Sequence, residues 1–189
     1  MDNIIQLKVT LHGTKPPIWR RLLVDKATTL QQLHHIIQIS MGWTNTHLHE
    51  FEVNGYRIAE PNEDIDDDFG IKTIDSSTVT LESIITDIKD KFTYDYDFGD
   101  GWHHQILVEK FLPRDTNTKY PTCIGGRLNC PPEDCGGIFG FYNLLHIISN
   151  ERHPDREAML EWLGEHYDPE YFDKDEINEE LASLDDYIN

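Results

Sequence analysis

Apolar and polar side chains alternate almost from the start, with Ile5, Leu7, Val9 and Leu11 set against Gln6, Lys8 and Thr10. A period of two sorts them onto opposite faces, which predicts a half-buried strand over Ile4 to Leu11. Gly13 to Pro17 carries turn residues, and Ile18 to Val24 reads as a second strand, the hairpin partner of the first. The period then lengthens. Leu30, Leu33, Ile37 and Met41 follow at helical spacing behind Thr29-Leu30-Gln31-Gln32, a capping box, and Gly42 supplies the stop. His47 to Val53 is predicted as a third strand, closed by the turn pair Asn54-Gly55.

Residues 60–78 lose periodicity and read as an acidic loop, while Val79 to Ile88 fits a short strand or a short helix equally well. The next clear signal is Tyr94-Asp95-Tyr96-Asp97-Phe98-Gly99-Asp100-Gly101-Trp102-His103-His104. Asp-Gly between alternating segments signals a two-residue hairpin turn within residues 92–111. That register pairs Asp97 with His104 on one face and turns Tyr94, Tyr96 and Phe98 to the other, although a one-residue slip would part the pair.

Residues 112–137 collect Pro, Gly and Cys and are predicted to be irregular. Residues 138–189 are helical: Phe141, Leu144, Leu145 and Ile148 form one apolar face. Pro154 precedes Ala158, Trp162 and Leu163, and Asp173 with Glu176 opens a last helix striped by Ile177, Leu181, Leu184 and Ile188. The expectation is one α+β domain: an antiparallel-rich mixed sheet with a β-grasp-like ββαβ start (residues 5–111) and a helical C-terminal part packed on it.

Charge changes the picture of partners. The 189 residues carry 16 Lys and Arg against 35 Asp and Glu, a net −19, and the last 39 hold three basic against fourteen acidic. Such a surface disfavours direct nucleic-acid binding, which needs clustered cations. No apolar run reaches the length of a membrane span and no basic-then-apolar leader opens the chain, so no membrane association and a cytoplasmic location are expected.

Three constellations could carry chemistry. His47 and His49 share a strand face roughly 6–7 Å apart, a spacing that lets two imidazoles hold one divalent transition metal with Asp97 and His104. The same pair could equally be a polar structural network. Cys123, Cys130 and Cys135 lack a Cys-x2-Cys knuckle, and Pro131-Pro132-Glu133-Asp134 with Gly136-Gly137 reads instead as a stiff turn presenting two carboxylates. Asp64, Asp66 and Asp68 have calcium-loop spacing, but Phe69 stands where that loop needs glycine and Asp75 where it needs glutamate. No phosphate-binding glycine loop, dinucleotide fingerprint or nucleophile elbow is present. Trp19, Trp43, Trp102 and Trp162 lie on separate elements, as core residues would.

Taken together, Ile18-Trp19-Arg20-Arg21, Met41-Gly42-Trp43-Thr44 leading to His47-Leu48-His49-Glu50-Phe51, the Tyr94 to His104 hairpin, and Pro131-Pro132-Glu133-Asp134 resemble the plasmid ORF-three-like family, named after a reading frame on a root-inducing plasmid. The resemblance spans nearly the whole chain and implies an α/β module sometimes carried on mobile elements, with no particular reaction attached. Its pattern includes the positions of His47, His49, Asp97, Asp100, His104, Glu133 and Asp134. The leading expectation is a binding or accessory module whose polar cleft, Trp102 and Asp134 included, takes a protein, peptide or small ligand. One alternative is a metal-dependent hydrolase in which Asp100 or Glu133 acts as general base on metal-bound water. The other is a DNA-associated regulator or an acidic DNA mimic.

Overall fold

The computed structural model describes residues 3–61, 73–164 and 167–184. Strands β1 (Ile4–Leu11) and β2 (Trp19–Asp25) form the predicted hairpin, with Leu7 opposite Leu22. Strands β3 (His49–Val53), β4 (Tyr56–Ala59), β5 (Ile74–Asp75), β6 (Lys91–Tyr96), β7 (Trp102–Leu112) and β8 (Thr122–Arg127) complete one eight-stranded sheet in the order β5-β4-β3-β6-β7-β1-β2-β8. Neighbours are antiparallel except β4 and β5, which run parallel. The chain is therefore α+β with an antiparallel-rich mixed sheet. A β-grasp-like start is not confirmed: β1 is flanked by β7 and β2, and both β6 and β7 stand between it and β3.

Helix α1 (Leu30–Met41) begins at the expected capping box, with Thr29 Oγ1 accepting from Gln32 N and Gln32 Oε1 accepting from Thr29 N. Gly42 ends it in the left-handed region at φ 80°, where glycine pays no Cβ penalty. Its Leu30, Leu33 and Ile37 pack in one core with Leu7, Val9, Phe51 and Ile106 of the sheet. Each such buried side chain contributes roughly 1.5–3 kcal/mol, more than the roughly 1 kcal/mol of a cap, so packing holds this helix and the cap sets its register.

The ambiguous Val79 to Ile88 segment contains a single helical turn, α2 (Leu81–Ile84). Helices α3 (Gly137–Ser149), α4 (Arg156–Leu163) and α5 (Lys174–Leu181) follow. Asp173 caps α5 by accepting from Asp175 N and Glu176 N. No helix among the described residues is long and apolar enough to cross a membrane. The calcium-like run of Asp64, Asp66 and Asp68, and Ile188 of the last stripe, lie outside the described residues.

Two expectations about segments need correction. The Pro/Gly/Cys-rich segment contributes β8, an edge strand whose outward backbone is met by a side chain: Asn178 Oδ1 accepts from Cys123 N at 2.7 Å and Asn178 Nδ2 donates to Cys123 O at 3.0 Å. The residue 92–111 hairpin pairs Tyr94 with His104, Asp95 with His103 and Tyr96 with Trp102. Residues 97–101 form a five-residue loop, so Asp97 is not the cross-strand neighbour of His104. Phe92, Tyr94 and Tyr96 share the buried face with Ile106, His104 and Trp102, whereas Phe98 is 49% exposed. Burying six large side chains in one layer outweighs the local Asp-Gly turn preference.

Candidate functional site

Asp97 opens the hairpin loop at φ 55°, a conformation Asp tolerates better than most residues. Its Oδ1 accepts from Gly99 N at 2.9 Å and Asp100 N at 3.3 Å, and its own N–H donates to Leu48 O at 2.9 Å. These bonds organise the loop and leave Oδ2 pointing to His47. At the far side of the loop, Asp100 Oδ2 accepts from Gly136 N at 3.0 Å. Helix α3 has no side-chain cap of its own, so this carboxylate meets one of its unpaired N–H groups and the positive end of its dipole. Contact there is close enough that a Cβ on Gly137 would lie 2.3 Å from Asp100 O.

Glu133 ties the same turn to the loop before β3. Its Oε2 accepts from Thr44 N at 3.1 Å and from Thr44 Oγ1, while its Oε1 accepts from Thr46 Oγ1 and from the Tyr96 hydroxyl. Burial and this carboxylate push the Tyr96 phenol up to about 12, so it stays a donor. Trp43 Nε1 adds a bond to Pro131 O at 2.9 Å. The 44–48 loop, the 97–101 loop and the 131–137 turn thus meet at one end of β3 and β6.

His47 sits at their junction. Its Nε2 lies 3.2 Å from Asp134 Oδ1 and 3.7 Å from Asp97 Oδ2. That nitrogen is buried, yet neither carboxylate is aligned to form a hydrogen bond with it. His47, Asp97 and Asp134 offer one ligand atom each, all within 4.8 Å of one another, and they are the only such group among the described residues. One imidazole nitrogen with two carboxylate oxygens is a donor set suited to a divalent cation of intermediate hardness.

The remaining candidates fall elsewhere. His49 faces α1 and stacks on His34, ring centroids 3.4 Å apart and planes 5° from parallel. His104 is fully buried between Tyr94 and Trp43, its Nδ1 3.2 Å from Tyr94 O. Neither reaches the His47 group, because the strand register places both rings in the core layer. Burial lowers the His49 imidazole to about 4 and that of His104 to about 3, so both are neutral. Trp102 is wholly buried and stacks near Trp43, so it supports the site from beneath and lines no open cleft. Asp100 and Glu133 come to the junction, but their carboxylates are already engaged.

Sequence reasoning missed the network behind His49. His34 Nδ1 lies 2.8 Å from the Tyr94 hydroxyl and Nε2 2.7 Å from Asn45 Oδ1. Asn45 Oδ1 only accepts, so Nε2 carries the proton and Nδ1 accepts from Tyr94. Gln38 completes the set, donating to the Tyr94 hydroxyl at 2.9 Å and accepting from Asn45 N at 3.1 Å. His34 and Gln38, four apart among apolar neighbours on α1, were the available signal. The cysteines form no cluster with these groups: Cys130 Sγ receives Arg20 Nη2 at 3.2 Å, and burial raises all three thiols, Cys135 to about 12.

Residues 3–176 match the family model for plasmid pRiA4b ORF-3-like protein. The chain belongs to the plasmid pRiA4b ORF-3-like family. It is 37% identical over 163 residues to the uncharacterized protein y4hQ of Sinorhizobium fredii, covering 86% of this chain and 81% of that relative. Among solved structures, this family member is similar to a protein of unknown function, MM3350, from Methanosarcina mazei Go1, at a TM-score of 0.81 and 33% identity, covering 91% of this chain and 96% of the other.

Proposed function

We propose that this ORF-3-like protein is a binding or accessory module whose His47, Asp97 and Asp134 hold one divalent transition-metal ion at the rim of a polar cleft. The observation that carries the reading is the buried, unbonded Nε2 of His47 facing two carboxylate oxygens. A nitrogen in that position needs a partner, and a cation supplies one while offsetting the repulsion of the two carboxylates. Three protein ligands leave coordination positions for a carboxylate or similar group of a peptide, protein or small ligand. A cytoplasmic setting fits reduced thiols, and a link to mobile elements rests on the family's plasmid origin.

The hydrolase alternative has less support, since the two carboxylates suited to act as general base, Asp100 and Glu133, are held by Gly136 and by Thr44, Thr46 and Tyr96. The net charge of −19 argues against direct binding to a nucleic-acid backbone.

Calorimetric titration of the chelated, dialysed chain with Zn²⁺ and Mn²⁺ tests the proposal. About one equivalent should bind, and His47→Ala or Asp134→Asn should each weaken binding by at least about tenfold, the scale on which even outer partners of metal ligands act. The Asp134 side chain is 71% exposed, so that variant stays folded. His49→Phe should bind as the parent does. Absence of binding, or equal binding by His47→Ala, defeats the reading.

A further inference from the structure

A second feature lies on the far side of α3. A cavity of about 570 Å³ opens between α3, α4 and the turn joining β1 to β2, well within the range of about 300–1,000 Å³ typical of small-ligand sites. Ile18, Leu128, Phe141, Leu145 and Leu160 make its walls apolar. None of its lining residues belongs to the His47, Asp97 and Asp134 group.

Helix α4 explains why the space matters. Its sequence, Arg156 to Leu163, includes Met159, Leu160, Trp162 and Leu163, yet not one of its residues is buried, and Trp162 is 51% exposed. Short helices draw most of their stability from covering an apolar face against the body of the protein. Of these residues Leu160, with Arg156, lines this cavity, whereas Met159 and Trp162 face a separate hollow beside Cys135 and Leu144.

The charges around it run against the rest of the molecule. Lys15 and Arg156 line the cavity against a single carboxylate, Glu170, in a chain of net charge −19. Arg156 Nε donates to Ile148 O at 3.0 Å, which fixes the guanidinium at the C-terminal end of α3. Among the described residues its terminal nitrogens and the Lys15 ammonium have no hydrogen-bond or ion-pair partner. Two unpaired cations beside an apolar chamber match an anion attached to an apolar body.

We infer that this cavity binds a small amphipathic carboxylate, its apolar part against Phe141, Leu145 and Leu160 and its charge against Arg156 and Lys15. Two sources share that chemistry, medium-chain fatty acids and arylalkanoic acids.

The test is calorimetry of the full chain with decanoate, 4-phenylbutyrate and decyltrimethylammonium, each below its aggregation concentration. At least one acid should bind at a single site, and which of the two binds more tightly names the source. The cation should bind at least about tenfold more weakly than that acid, a tenfold step being the scale of one charged contact. Lys15→Gln and Arg156→Gln should each weaken acid binding several-fold, the first without touching the α3–α4 contact. Leu160→Trp, which fills the chamber, should abolish binding while the thermal midpoint is kept. Failure of both acids to bind, equal binding of the cation, or indifference to all three substitutions overturns the assignment. Metal titrations of the same variants should match the parent, which separates this site from the cation site.

Discussion

In the unfolded chain His34, His49 and His104 take up a proton near the ordinary imidazole value of 6.5, whereas in the folded chain burial holds them to about 2, about 4 and about 3. Between those values the unfolded state binds more protons, so stability is full above 6.5 and declines as pH falls. The slope is about 1.4 kcal/mol per pH unit for each histidine. From about pH 6.5 to about pH 5 most native carboxylates are still ionised, which leaves these rings as the dominant source of acid sensitivity. His49→Phe keeps a flat ring against His34 and removes one titrating group, one whose Nε2 has no partner. Its unfolding free energy, followed by urea melts across that interval, should fall less steeply by about one proton's worth; an unchanged slope would place the sensitivity elsewhere. The sequence marked His47, His49 and His104 alike as ligand types. What separated them was which face and which layer each ring occupies, a property of register that residue type does not carry.

At the scale of elements, β1, β2 and α1 were legible because period and punctuation agreed: alternation bounded by turn residues, then a capping box and a glycine stop. The 92–111 hairpin was legible as a hairpin but its register was not, because the local Asp-Gly turn preference and the aromatic pattern point to different pairings and burial decides between them. Moving the register by three residues aligns Tyr94 with His104 and Tyr96 with Trp102 and turns the loop into a bracket between His47 and α3. Strand β8 escaped notice because Gly125 and Gly126 weaken any strand signal, and its place is set by β2 and α5. The bracket itself is testable by comparing two glycines. Gly42→Ala meets nothing within 4 Å and should cost about 1 kcal/mol, the left-handed backbone penalty alone. Gly137→Ala, also at positive φ, adds a clash with Asp100 O, and should cost about 2–4 kcal/mol. It should also weaken divalent-cation binding, since it pushes Asp97 and Asp134 apart. Urea melts and calorimetry on both variants check this, and equal costs would mean the loop yields freely.

For the molecule as a whole, the excess of 19 negative charges dominates the few ion pairs. Arg21–Glu109 is part-buried and bidentate, with Gln6 also donating to Glu109, while Arg114–Asp25 is more exposed and worth at most about 1 kcal/mol. Raising salt from about 0.01 M to about 0.1 M shortens the screening length from roughly 30 Å to roughly 10 Å. Self-repulsion is long-ranged and relaxes more than the pairs do, so the thermal midpoint should rise, by roughly 2–4 °C for each kcal/mol relieved. A midpoint that falls with salt would show the pairs to outweigh the net charge. Class and the four longer helices followed from element order and period, but neither the turn at Leu81–Ile84 nor the strand order did, because sheet neighbours distant in sequence leave no local mark. That order leaves two rims. One is the two-residue β5, and the other is β8, where the Asn178 carboxamide occupies both peptide groups of Cys123 much as an adjoining strand would. A strand's outer ladder is a template for further chains, and here a single amide stands in for the next rung. At Cys123 the rim is therefore closed: extended segments of other molecules, including misfolded copies of this one, find no free backbone there on which to begin a fibril.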